Sequence, residues 1–220
     1  MKSHIFLGGG GSEVQSSMLD EKYFACIKEG KLIYIPNALD SDKHIAAYSW
    51  FQSVVDLYNK NIETVLFTDL SKEIDLDEIC GVYIGGGNTQ KLHDEMARAK
   101  FDDKIRSILQ VSTPVYGGSA GAIIFGCDIR TAPEVSVIEG RDYKGLNLLN
   151  GTSIYCHYTQ EQFEKVRSLS NVLQTPIIAI PEDSGVEFLS QRGFVHGESE
   201  VAFFKSNEIY KIKPGKTFKV

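Results

Sequence analysis

Val115-Tyr116-Gly117-Gly118-Ser119-Ala120-Gly121-Ala122-Ile123-Ile124-Phe125 is the stretch that decides the fold. One apolar run, Val111 to Tyr116, leads into a cluster of small residues, and a second, Ala122 to Phe125, leaves it. That pattern predicts a strand, a sharp turn and a helix, with Ser119 at the apex. The Gly-x-Ser-x-Gly spacing suits a strained turn, because a Cβ on either side would collide with the adjoining strand and helix. Such a turn lifts the hydroxyl clear of the backbone for nucleophilic attack. It also aims the N–H of Ala120 at an oxyanion forming on the attacked carbonyl. The bland alternative is a glycine-rich turn that carries an incidental serine.

The chain has 220 residues, 42% of them hydrophobic, which is enough to bury one sizeable core and predicts a single domain over residues 1–220. Its 23 basic and 29 acidic side chains leave a net charge of -6, and the lysines form no stripe. Nucleic acid and anionic membranes are therefore not expected as partners. The apolar run Ile5–Leu7 is too short for a signal-peptide core or a membrane span, so the expected location is cytoplasmic. Cys26, Cys80, Cys127 and Cys156 are far apart and form no C-x-x-C pair. They suggest neither a zinc site nor a disulfide framework, but small buried apolar residues. No metal or cofactor is expected.

Short β-rich runs at Ile5–Leu7, Leu32–Ile35, Thr64–Phe67, Val82–Ile84, Val115–Tyr116 and Ile177–Ile180 alternate with longer amphipathic stretches. This alternation predicts a mostly parallel sheet with helices on both faces. Tyr23-Ile27, Ala46-Trp50-Val54-Leu57 and Leu92-Met96 are the expected core-facing stripes of three helices. After Ile180 the runs come closer together, and they predict antiparallel strands finishing the sheet's edge.

Further segments could carry chemistry. Gly85-Gly86-Gly87-Asn88-Thr89 follows one predicted strand and precedes a helix, so its amides fall at the rim where open α/β sheets bind ligands. Gly86 or Gly87 could supply the second oxyanion donor beside Ala120; in the alternative the glycines merely fit a turn and Asn88 or Thr89 caps the helix. The loop Gly8–Gly11 lacks the spacing of G-x-G-x-x-G and of G-x-x-x-x-G-K-[ST], and reads as a floppy turn, with a nucleotide- or phosphate-binding role as the rival. Among five histidines, His157 is best placed as a base for Ser119, because it lies between a strand end and a helix start. His4 starts a strand, His44 and His93 fall in helices, and His196 falls in a late turn. A carboxylate is needed to orient the histidine, and Glu182 and Glu134 compete: Glu182 follows a predicted strand, while Glu134 fits the order serine, acid, histidine.

Taken together, Gly-Gly-Gly-Asn-Thr at 85–89, Gly-x-Ser-Ala-Gly-Ala at 117–122, Ile-Arg-Thr at 129–131, His157 and Ile-Pro-Glu at 180–182 resemble the peptidase E family, the α-aspartyl dipeptidases. The resemblance implies a three-layer α/β/α sandwich similar to class I glutamine amidotransferases, with serine in place of their cysteine. It implies Ser119 as nucleophile, His157 as base, Gly87 and Ala120 as oxyanion donors, and Glu182 or Glu134 as the acid. It further implies a small peptide as substrate, an Asp-Xaa dipeptide in the family's pattern. The chain departs from that pattern at Gly118, where the family often has tryptophan, at Tyr155-Cys156, where it has Asn-Pro, and at Glu134, where it has aspartate. A pocket for a substrate carboxylate needs a fixed cation, and Arg130 is the one that matches the family. The expected function is a serine peptidase working through an acyl-enzyme at Ser119. An inactive binding or regulatory module on the same fold, and a nucleotide- or phosphate-binding protein, are the rivals, and a homodimer is left open.

Overall fold

The structure, a computed structural model, describes residues 4–58, 62–205 and 208–220. Its main sheet has eight strands in the order β12-β9-β8-β1-β5-β4-β2-β3. The parallel part is β1 (His4–Gly8), β5 (Val115–Gly118), β4 (Ile79–Ile84), β2 (Lys31–Ile35) and β3 (Glu63–Leu66). Strands β8 (Ser184–Leu189), β9 (Arg192–Gly197) and β12 (Thr217–Lys219) extend it in antiparallel fashion beyond β1.

Successive side chains of a strand point to opposite faces, and the core divides accordingly. Ile5, Leu7, Ile33, Ile35, Val82, Ile84 and Val115 face α3 (Thr89–Ala99), α4 (Phe101–Gln110) and the short α5 (Ala120–Ile123). Phe6, Leu32, Tyr34, Tyr83 and Tyr116 face α1 (Ser17–Cys26) and α2 (His44–Leu57). The fold is a three-layer α/β/α sandwich. Its second face is aromatic: Tyr83 stacks on Tyr116 at 4.3 Å and Tyr34 on Phe51 at 4.6 Å between ring centroids. Each fully buried phenylalanine there, Phe6 and Phe51 among them, contributes about 1.5–3 kcal/mol by leaving water.

Three expectations need correction. The late strands do not all finish one edge. β10 (Val201–Lys205) and β11 (Glu208–Ile212) join β6 (Ser153–Tyr155) and β7 (Ile177–Ala179) in a second sheet, ordered β11-β10-β7-β6. The run Ile177–Ile180 therefore pairs with β6 and β10 rather than with the central sheet. This second sheet packs Ile154, Ile178, Val201 and Phe203 onto the main core, and turns Tyr155, Ile177, Ala179 and Phe204 toward α6 (Phe163–Leu173). On α2 the core face is Phe51, Val54 and Val55, while Trp50 and Leu57 of the expected stripe are exposed. Finally, His196 lies in β9 rather than in a turn.

Candidate active site

The strand order places three loops side by side. β5 lies between β1 and β4, with Gly8 opposite Gly118 and Ile84 opposite Gly117, so the segments following all three strands emerge at one rim. Ser119 stands at the turn from β5 into α5 with φ 51° and ψ -113°, a left-handed region that costs a non-glycine residue about 1–3 kcal/mol. The surroundings hold it there. Its amide donates to the Gly8 carbonyl at 3.1 Å, and its carbonyl accepts from Ala122 and Ile123 at 2.8 and 2.9 Å. The flanking glycines permit the close approach: a Cβ on Gly117 would lie 2.2 Å from the Gly121 oxygen, and one on Gly121 2.3 Å from the Ile84 oxygen.

His157 and Glu182 arrive from the second sheet. β6 and β7 run parallel, with Tyr155 opposite Ala179, and each delivers a residue shortly after its last paired position. The amide of Tyr158 donates to the Ile180 carbonyl at 3.1 Å, which holds the two segments together past the strand ends. Ser119 Oγ lies 2.7 Å from His157 Nε2, and His157 Nδ1 lies 2.7 Å from Glu182 Oε1. A carboxylate only accepts, so Nδ1 carries the proton toward Glu182 and the Nε2 lone pair faces the hydroxyl. The histidine and glutamate side chains are each about half exposed, at 48% and 49%, so the site opens to solvent.

The loop Gly8–Gly11 is a packed platform rather than a floppy turn. Gly9 accepts from the His157 amide at 2.9 Å and donates to the Ser184 carbonyl at 3.0 Å. A Cβ on Gly9 would fall 1.8 Å from the Pro181 oxygen. One on Gly10, whose φ is +103°, would fall 2.4 Å from His157 Cε1 and 3.0 Å from Ser119 Cβ. Gly10 is thus a site residue that the sequence did not announce. The only available signal was a run of four glycines directly after the first strand, which is adjacent to β5.

On the other side, Gly86 lies close to Ser119, since a Cβ on it would be 3.2 Å from the serine Cβ. Among the described residues, the amides of Gly86, Gly87 and Ala120 donate to no protein acceptor in this rim. Asn88 serves as the cap of α3, its side-chain oxygen accepting from the Lys91 amide at 2.8 Å. Glu134 does not reach His157; its Oε1 accepts from the Thr89 amide at 2.8 Å. Arg130 clasps Asp128 through Nε and Nη2, at 3.0 and 2.5 Å, and lies over the Tyr143 ring. Beneath Ser119, the Cys156 thiol donates to the carbonyls of Gly8 and Ser119 at 3.7 and 3.6 Å, and burial pushes its pKa far up, which keeps it an inert packing group. Cys80 is buried as well, but Cys26 and Cys127 are only partly so. The other histidines have partners elsewhere: His4 and His196 hold Glu187 at 2.8 and 3.0 Å, His44 the Leu39 carbonyl, and His93 the Lys144 carbonyl.

An α/β/α sandwich that presents a serine, a histidine and a glutamate in hydrogen-bonded line at its strand ends is built as a serine hydrolase is built. The chain belongs to peptidase family S51, whose family model matches residues 5–193. It is 29% identical over 137 residues to a Peptidase E from Shewanella amazonensis, a match covering 58% of each chain and so little more than half that relative's length. A probable alpha-aspartyl dipeptidase from Drosophila melanogaster is 24% identical over 199 residues, covering 85% of this chain and 81% of that one. Among solved structures, a peptidase from an acI-B1 Actinobacterium shares the fold with a TM-score of 0.76 at 17% identity, over 100% of this chain and 98% of the other. No described helix is long and apolar enough to cross a membrane.

Proposed function

We propose that the protein is a serine peptidase that cleaves a small peptide through an acyl-enzyme on Ser119. The observation that carries this is the 2.7 Å contact between Ser119 Oγ and His157 Nε2 on a strained turn. As Oγ attacks the carbonyl carbon, its proton passes to Nε2, and Glu182 stabilises the imidazolium through Nδ1. The negative charge moves onto the carbonyl oxygen, which the Ala120 amide and that of Gly86 or Gly87 receive. Collapse of the tetrahedral intermediate breaks the C–N bond, and the leaving amine takes the proton from Nε2. Water, deprotonated by the same nitrogen, then attacks the ester and frees Ser119.

The names borne by the relatives make Asp-Xaa dipeptides the first substrates to test. Arg130, the cation expected to hold an aspartate side chain, is occupied by Asp128, so an aspartyl substrate would have to compete for it. The test is a panel of aspartyl and non-aspartyl dipeptides with the wild type and Ser119→Ala, alongside fluorophosphonate labelling mapped by mass spectrometry. Hydrolysis that disappears with the serine, and a label on Ser119, are expected. An unlabelled serine with no dipeptide cleaved would leave a binding module on this fold.

A further inference from the structure

Gly8, Gly118 and Gly85 stand side by side at the ends of β1, β5 and β4, on the face of the sheet that α1 and α2 cover. Two of the three are filled from below. A Cβ on Gly8 would lie 2.7 Å from the Tyr116 hydroxyl, and one on Gly85 2.9 Å from the Tyr34 hydroxyl, so both glycines make room for a tyrosine of the core. Gly118 makes room for none. A Cβ there would meet only Tyr116 Cε1 at 3.7 Å and the Tyr83 hydroxyl at 3.9 Å, which are ordinary contacts, and its φ lies outside the left-handed region. Neither the backbone nor the packing requires a glycine directly before Ser119. Gly8 and Gly85 are buried while Gly118 between them is partly exposed, so a recess reaches down to β5 at that point. Its floor is the stacked pair Tyr83 and Tyr116. Near that floor stands Trp50, the chain's single tryptophan, whose indole meets the Tyr83 ring edge-on at 6.4 Å and is 38% exposed. Its Nε1 donates to Glu13 Oε2 at 3.3 Å, and Glu13 lies two residues past Gly11 in a turn that the Ser12 amide closes on the Gln15 side chain at 3.0 Å. The glycine platform beside Ser119 is thereby tied to α2, with an exposed aromatic surface at the junction.

We propose that the recess over Gly118 receives a large aromatic side chain of the substrate, flanking the amide that Ser119 attacks. The inference rests on the serine-peptidase reading given above and adds the shape of side chain that the site selects. A ring laid over Gly118 covers apolar surface of Tyr83 and Trp50, in the offset or edge-on arrangements that aromatic pairs favour. A methyl group in the same place reaches neither. Because the recess opens at the residue next to the nucleophile, a ring seated in it also holds the scissile carbonyl over Ser119.

The experiment measures kcat/KM on Asp-Ala, Asp-Phe, Ala-Ala and Phe-Ala for the wild type, Gly118→Leu and Trp50→Ala. Phenylalanine stands on either side of the scissile bond, and the readout is the Phe-to-Ala ratio at each position, which a general loss of activity does not move. In the wild type one of the two ratios is expected to exceed about tenfold, the scale on which an apolar pocket discriminates by size. Gly118→Leu fills the recess and should bring that ratio to about one or below. Trp50→Ala removes an aromatic partner and should lower it at least about threefold. Melting curves report whether the variants are folded, and Trp50→Ala, at an exposed position, decides alone if Gly118→Leu is not. Wild-type ratios near one at both positions would overturn the proposal, and so would a ratio that either folded variant leaves unchanged. Calorimetric binding of the four dipeptides to Ser119→Ala, with and without Gly118→Leu, repeats the comparison without chemistry. If the wild type neither cleaves nor labels, but binding still prefers the Phe peptide and loses that preference with Gly118→Leu, the recess stands and the peptidase reading falls.

Discussion

Asp20 lies in α1 with 1% of its surface exposed, facing the aromatic layer under the first strand. Ser16 donates to one carboxyl oxygen at 2.7 Å; the other has no hydrogen-bond partner. Burial is the main cause of a pKa pushed up from 3.8 to about 6, opposed by the Ser16 hydroxyl. The folded state therefore favours the neutral acid. Its contribution to stability is fully present below the unfolded pKa of 3.8 and is lost as pH rises through about 6. At 1.36 kcal/mol per unit, holding the ionised carboxylate above that range costs the fold about 3 kcal/mol. Asp20→Asn keeps an acceptor for Ser16 and replaces the unpartnered oxygen with a donor, without charge at any pH. Urea unfolding of both proteins by circular dichroism should show the variant gaining on the wild type by about 2 kcal/mol between about pH 4.5 and pH 8, with unchanged m-values. The variant's melting temperature relative to wild type should rise by several degrees over the same pH range, at about 2–4 °C per kcal/mol for a chain of this size. A gap that stays constant over that pH range, or that closes as pH rises, would refute the linkage.

Glu182→Gln removes the support for the imidazolium and should lower kcat by about two to four orders of magnitude on any cleaved dipeptide, with a melting temperature close to wild type. A kcat within tenfold of wild type would mean that His157 works without the carboxylate. Gly10→Ala places a methyl 2.4 Å from His157 Cε1 at a backbone φ of +103°, so the ring must move off Ser119. It should lose most of the activity and about 1–3 kcal/mol of stability, read together by dipeptide hydrolysis and urea unfolding. An active, fully stable alanine variant would show that the loop can yield where it meets the histidine.

The elbow around Ser119 and the turn at 85–89 were legible because their requirements are local. Gly117, Gly121 and the cap of α3 answer to neighbours a few residues away or to the next strand. The choice between Glu182 and Glu134 was not legible, since it turns on which sheet carries the strand before the acid. The run Ile177–Ile180 has the same apolar character in the second sheet as it would have in the first, because both of its faces are covered there too. The same long-range dependence hid the loop Gly8–Gly11. Its glycines are needed by Pro181 and His157, which come from the far end of the chain. On α2 the periodicity admits two neighbouring stripes, and the ring stack of Phe51 on Tyr34 decides between them only once β2 is in place. Arg130 could be found from its motif, but nothing in the sequence foretells that Asp128, two residues before it, occupies its guanidinium.

β1, made well before the strands that flank it, ends up inside the sheet, with β5 on one side and β8 on the other. Its second neighbour does not exist until residues 184–189 have been synthesised. At about 5–20 residues per second, the nascent chain spends many seconds with the His4–Gly8 edge bare, a row of unpaired amides and carbonyls beside apolar Ile5, Phe6 and Leu7. An open edge of that kind is a template on which another unfinished chain can pair. The same delay applies to the surroundings of Ser119. Gly9 receives its brace from Ser184, and Glu182 arrives just ahead of it, so a chain released early carries His157 without its carboxylate partner and the glycine loop without its brace.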